Sequence, residues 1–155
     1  MSRKKSIPPR EPPDPEEYGD AALSRKQVME MVRKKDSFED ADLRGADLSG
    51  LCFDGLNLTQ AKFAEANLMR STFRGANLTG TSFFGANLRD VCLDNANLEE
   101  ADLDYANLDG ATLHNAKIRK ALFPTRKLTL AEIRVSVATG SRLRMEPFAP
   151  GDEDE

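Results

Sequence analysis

Tryptophan is absent, histidine occurs once, cysteine occurs twice, and aromatic side chains make up only 6% of the sequence. No catalytic constellation can be assembled around the lone His114, which reads as an ordinary surface residue. Cys52 and Cys92 lack the neighbouring ligands that a metal needs and are too few for a disulfide framework, so free thiols are expected. No phosphate-binding glycine loop is present. No stretch approaches the ~18 apolar residues of a membrane span. The basic start, residues 1–9, has no apolar run behind it, which argues against a secretory signal. A net charge of −4 gives no general grip on phosphate backbones. These absences lead us to expect a cytoplasmic protein that is not an enzyme, carries no cofactor or metal, and binds neither membrane nor nucleic acid directly.

What the chain does have is a five-residue period. Leu, Phe or Ile recurs at every fifth position from Phe38 to Phe123, eighteen units without a slip. Two residues earlier stands a small residue, usually alanine, and between the two stands Asp or Asn in half of the units. A period of five fits neither a helix nor a strand alternation. It marks a repeat architecture whose units must stack before they can bury anything. An apolar content of 39% would be thin for a compact globule, but a narrow solenoid core needs less.

The organisation follows from the limits of this repeat. Residues 1–20 hold five of the eight prolines and many charges, a composition that reads as a disordered tail or a ligand for a proline-binding domain. Residues 21–36 contain a short amphipathic helix over 25–34: Ser24 and Gln27 form a capping-box pattern, and Val28, Met31 and Val32 fall at helical spacing. The repeat fills residues 37–123. In residues 124–155, Thr129 and Glu132 form a second capping box, Gly140 is a helix stop, and Leu130, Ile133 and Val137 form an apolar stripe. Leu143, Met145 and Phe148 are expected to fold back on the last coil, ahead of an acidic tail.

Units such as Ala76-Asn77-Leu78-Thr79-Gly80 and Ala86-Asn87-Leu88-Arg89-Asp90 resemble the pentapeptide-repeat family. The resemblance implies an all-β solenoid, a right-handed quadrilateral β-helix with four units per coil, here with a short capping α-helix at each end. It also implies that the Leu/Phe and the small residue point inward. It fixes no function: some members mimic DNA and bind DNA gyrase, giving quinolone resistance, and that group commonly dimerises through a C-terminal helical segment.

With twenty residues per coil, residues twenty apart should stack. Phe63 falls over Phe83 and Phe53 over Phe73, while Asn57, Asn77 and Asn97 form a column that resembles an amide ladder. Seven opposite-sign pairs also fall twenty apart: Asp42–Lys62, Asp54–Arg74, Arg74–Asp94, Arg70–Asp90, Arg89–Asp109, Glu99–Arg119 and Glu100–Lys120. Such pairing would fix the register and neutralise all but Asp102 and Asp104 of the seven acids between Asp90 and Asp109. Phe84, which follows an inward Phe83, should project at a corner beside Asp104 and Tyr105, with Asp102 on the same face. We therefore expect a non-enzymatic protein-interaction scaffold whose partner site is Phe84, Asp102, Asp104 and Tyr105. The alternative is a gyrase-binding DNA mimic. A homodimer through the C-terminal helix is a further expectation.

Overall fold

The computed structural model describes residues 22–145, so the Pro-rich segment 1–20, Phe148 and the acidic tail lie outside the described residues. Between them, parallel β-bridges join residues twenty apart in four columns. One runs Asp42, Lys62, Ser82, Asp102, Leu122; a second runs Asp47, Asn67, Asn87, Asn107. The third is Cys52, Thr72, Cys92, Thr112, and the fourth Asn57, Asn77, Asn97, Lys117. Each coil is thus twenty residues long and has four sides of five. A side is too short for a strand ladder of its own and contributes a single bridging residue.

What bends the chain at each corner is a residue in the left-handed region. All seventeen residues at five-residue intervals from Asp40 to Lys120 have positive φ, and seven of them are glycine. At a typical corner Gly75 has φ 64° while Ala76 N–H donates to Phe73 C=O at 3.1 Å, the pattern of a type II turn. Gly45, Gly75 and Gly85 therefore occupy corners because of their dihedral freedom rather than their size.

The Asp/Asn preference has a local cause as well. At all nine bridging positions that hold Asp or Asn, the side-chain Oδ1 accepts the backbone N–H two residues on, an Asx turn that fixes the approach to the corner. Between coils, the one amide contact among these side chains is Asn67 Nδ2 to Asp47 Oδ1, at 3.4 Å. The expected amide ladder is therefore corrected: these side chains serve their own turn, not the coil above.

Inside, Leu, Phe and small residues fill the tube, and most are fully buried. Phe53 and Phe73 stack at 4.9 Å and 8°, Phe63 and Phe83 at 5.2 Å and 9°. Rings of one stack meet rings of the other edge-on at 5.8–5.9 Å, so the two columns interlock. Truncating one such ring to alanine costs roughly 3–5 kcal/mol.

Helices stand at both ends. α1 (Arg25–Lys34) starts with the Ser24/Gln27 capping box, ends at Lys35 in the left-handed conformation, and buries Val28. Leu23 N–H donates to Asp42 C=O at 2.9 Å, and the Arg25 guanidinium donates to the carbonyls of Asp47 and Ser49 at 3.1 and 3.0 Å. Those carbonyls face the side where another coil would lie, so the helix replaces the missing donors. α2 (Leu130–Thr139) has the Thr129/Glu132 capping box and Gly140 at φ 77°. It buries Ile133 and Ser136, with Val137 half-buried, but Leu130 is 59% exposed and not part of the packed stripe. Ser136 takes that inward place because its hydroxyl donates to Ser141 C=O at 2.7 Å. The N–H groups of the last coil find acceptors in the returning chain: Gly110 on Leu143 C=O, Asn115 on Val137 C=O, and Leu108 on Met145 sulfur.

Candidate interaction surface

One corner of the rod differs from the others. The left-handed position there is filled by Tyr105 (φ 59°), whereas every other non-glycine residue at a coil corner is Asp, Asn, Gln, Glu, Arg or Lys. An aromatic side chain in this conformation costs on the order of 1 kcal/mol against glycine. Tyr105 is nonetheless 47% exposed, so only about half of the residue is covered in return. Phe84, half-buried, lies against it with ring centroids 5.2 Å apart and planes tilted by 53°. The Arg126 guanidinium stands over the Tyr105 ring, 5.9 Å from its centroid, a cation–π contact.

The acids expected at this site are present and have structural duties. Asp102 accepts Asp104 N–H at 3.0 Å, and Asp104 accepts Tyr105 N–H at 3.0 Å. The latter bond exists because the chain departs at Pro124, so Tyr105 N–H has no carbonyl of a further coil to reach. Asp102 also pairs across the coils with Leu122, which is 58% exposed. The structure thus brings together Phe84, Tyr105, Asp102 and Asp104, the expected set. Arg126 escaped the sequence reading because it lies beyond the end of the periodic segment, where the twenty-residue spacing stops predicting neighbours, whereas the place of Leu122 beside Asp102 follows from that spacing.

The seven expected coil-to-coil ion pairs need correction. Among the described residues, none of them closes to ion-pair distance; the pairs that do form include Arg25–Asp47, Arg33–Glu30, Lys34–Glu30, Arg44–Asp42 and Arg142–Asp90. Stacking in register does occur, but short carboxylates reach backbone N–H groups before they reach a distant guanidinium. Asp54 Oδ1 accepts Arg74 N–H at 2.7 Å, and Asp94 Oδ1 accepts His114 N–H at 3.0 Å. Asp42 bonds Arg44 within its own corner, at 2.8 Å through both oxygens, and that guanidinium holds its carboxyl below the usual range.

Charge is nonetheless segregated along the rod. From Asp36 to Leu113 there are fourteen acids and five basic residues, whereas from His114 to Met145 there are eight basic residues and Glu132 alone is acidic. Cys52 and Cys92 are free, two coils apart with Thr72 between them. Among the described residues there is no group of metal ligands, and no helix is long and apolar enough to cross a membrane.

The model of the pentapeptide repeat region matches residues 47–123. Among solved structures, a pentapeptide repeat protein from the thylakoid lumen of Arabidopsis thaliana is 40% identical, with a TM-score of 0.51 over 52% of this chain and 55% of that one. HetL, a pentapeptide repeat protein involved in heterocyst differentiation regulation in the cyanobacterium Nostoc, is 32% identical, with a TM-score of 0.50 over 51% of this chain and 37% of that one. QnrB1, a plasmid-mediated fluoroquinolone resistance protein, is 23% identical with a TM-score of 0.51 over 53% of this chain and 43% of that one, a likeness of fold alone. The chain therefore spans about half or less of the length of these structures. Among curated proteins none matches the chain significantly.

Proposed function

We propose that this chain, which belongs to the pentapeptide-repeat family, is a non-enzymatic scaffold that holds another protein at the Phe84–Tyr105 corner. The observation that carries this reading is Tyr105 itself, an aromatic residue kept in a left-handed corner conformation and 47% exposed. Strain retained at a position whose side chain stays half exposed is characteristic of sites selected for something other than stability. Phe84, Arg126 and Leu122 extend the patch with the side-chain types that anchor interfaces, an aromatic face, a guanidinium and an aliphatic group. The rod makes the patch rigid, so little conformational entropy is lost on binding. The test is affinity capture from the source cell with the wild type, Phe84→Ala/Tyr105→Ala and Asp102→Asn/Asp104→Asn. The aromatic truncations should weaken capture by about thirtyfold, the effect of a ~2 kcal/mol hot spot. The asparagine pair should act mainly on the association rate.

The DNA-mimic reading has one observation in its favour. Of the seven acids from Asp90 to Asp109, only Asp90 has a basic group within ion-pair distance among the described residues, Arg142 at 3.9 Å. A band of negative potential around the middle of the rod therefore survives, flanked by a basic end. Inhibition of gyrase supercoiling that the asparagine pair abolishes and the alanine pair leaves intact would establish this reading in place of the first.

A further inference from the structure

Arg126 is held by its backbone and by an aromatic face, and its charge is spent on neither. It lies in a turn closed by Lys127 N–H, which donates to Pro124 C=O at 3.0 Å, and Pro124 and Leu128 on either side are buried. Its guanidinium rests over the Tyr105 ring, a contact that orders a side chain otherwise rich in rotamers. The residue is exposed, and among the described residues no carboxylate or carbonyl accepts from that guanidinium. A guanidinium carries five N–H donors in a planar fork that fits a carboxylate through two parallel bonds. An arginine already stacked on a ring is set to take a carboxylate from outside at small entropic cost.

The wider field points the same way. From Lys117 to Arg144 the end of the rod carries eight basic residues, and Glu132 is its one acid. That carboxylate already accepts the N–H and the hydroxyl of Thr129, at 2.7 and 2.9 Å. A segment that approaches the corner from this end is therefore steered in if it is acidic. In the coil below, the sign reverses. Asp102 and Asp104 each give one oxygen to a backbone N–H, and their negative charge repels a second acid placed there. The corner is thus polar along the rod, with an anion-seeking group at one end and two tilted aromatic rings beside it.

We infer that the corner takes an acidic segment of another protein, with a carboxylate on the Arg126 guanidinium and an adjacent aromatic or aliphatic side chain on the Phe84–Tyr105 rings. The inference rests on reading the corner as an interaction site, and adds the chemistry of the partner. Tyr105 then has two duties, as contact surface and as the platform that holds Arg126.

Selection of displayed random peptides on the immobilised full chain tests it. The expected result is enrichment of sequences that carry Asp or Glu beside an aromatic or aliphatic residue. Arg126→Ala should weaken the selected peptides about tenfold, the share of one anchor residue. Arg126→Lys should recover only part of that loss, because an ammonium keeps the charge without the fork. Added salt should weaken binding to the wild type more than binding to Arg126→Ala. Phe84→Ala is the companion variant, since Tyr105→Ala would also release Arg126, and a dispersed amide spectrum reports that each variant is folded. Enrichment of Lys- or Arg-rich sequences, or of acidic ones that bind Arg126→Ala as tightly as the wild type, overturns the inference. Peptides lost with Phe84→Ala but kept by Arg126→Ala would leave the corner standing as an interaction site and remove its acidic partner. Peptides lost with Arg126→Ala but indifferent to Phe84→Ala would contradict the corner reading itself, and no enrichment at all would overturn both.

Discussion

Arg74 donates its backbone N–H to the carboxylate of Asp54, one coil away, at 2.7 Å, and its guanidinium is not the partner of that carboxylate. The bridging residue of that side is Thr72, which has no Oδ1 to close the turn, and Asp54 supplies the missing acceptor from the neighbouring coil. Asp54→Ala should therefore cost about 1 kcal/mol in urea unfolding, Asp54→Asn much less, and Arg74→Ala close to nothing. Losses of about 1 kcal/mol for both Asp54→Asn and Arg74→Ala would restore the ion-pair explanation.

That relationship also shows where sequence reasoning reaches its limit. The register was legible because one inward Leu or Phe per five residues admits a single stacking, and the Phe53/Phe73 and Phe63/Phe83 stacks follow from it. Helix limits were legible from local capping chemistry at Ser24/Gln27 and Thr129/Glu132. Side-chain partners were not. Spacing says which residues are neighbours, but Asp54 lies between a guanidinium and an N–H, and reach decided the outcome in favour of the N–H. Beyond Phe123 the period ends, which is why the exposure of Leu130 and the cation–π contact of Arg126 could not be read in advance.

The corners give a graded prediction. Gly55 has φ 71° and nothing within 4 Å of an added Cβ, so Gly55→Ala should cost about 1 kcal/mol through backbone conformation alone. At Gly110 (φ 79°) an added Cβ would lie 2.1 Å from Asp90 Oδ1, and Gly110 N–H also holds Leu143. Gly110→Ala should therefore lower the melting temperature more than Gly55→Ala does. Equal shifts would mean that the Asp90 side chain swings aside at no cost.

Asp42 sets a pH dependence. Its folded pKa is depressed, chiefly by the Arg44 guanidinium, and desolvation opposes this. A depressed carboxylate contributes stability that is fully present above the unfolded pKa of about 3.9 and lost as pH falls through the lower folded value. The half-exposed pair should be worth tenths of a kcal/mol to about 1 kcal/mol. The stability gap between wild type and Asp42→Asn should hold steady from about pH 5 to 7 and close at lower pH. A gap unchanged in acid would assign the effect of the substitution to the turn.

The C-terminal segment closes an edge. Without residues 124–155, the N–H groups of Gly110 and Asn115 lose their acceptors, and Phe123 loses the cover of a neighbouring apolar segment. Bare edges of this kind recruit other chains. The truncated chain should therefore form concentration-dependent aggregates in light scattering, and a monomeric, equally stable truncation would refute the capping role. The same measurement on the intact chain tests the proposed homodimer, for which Leu130 and Val135 are the exposed apolar residues on α2.

The most direct measurement of the central claim is site-specific photo-crosslinking in the source cell. Phe84 is replaced by benzoylphenylalanine in the full chain, with Thr72, on the opposite face of the rod, as the comparison position. The account predicts a discrete product from position 84, heavier than the chain by the mass of another protein, and none from position 72. A product from position 72 with none from position 84 would contradict it.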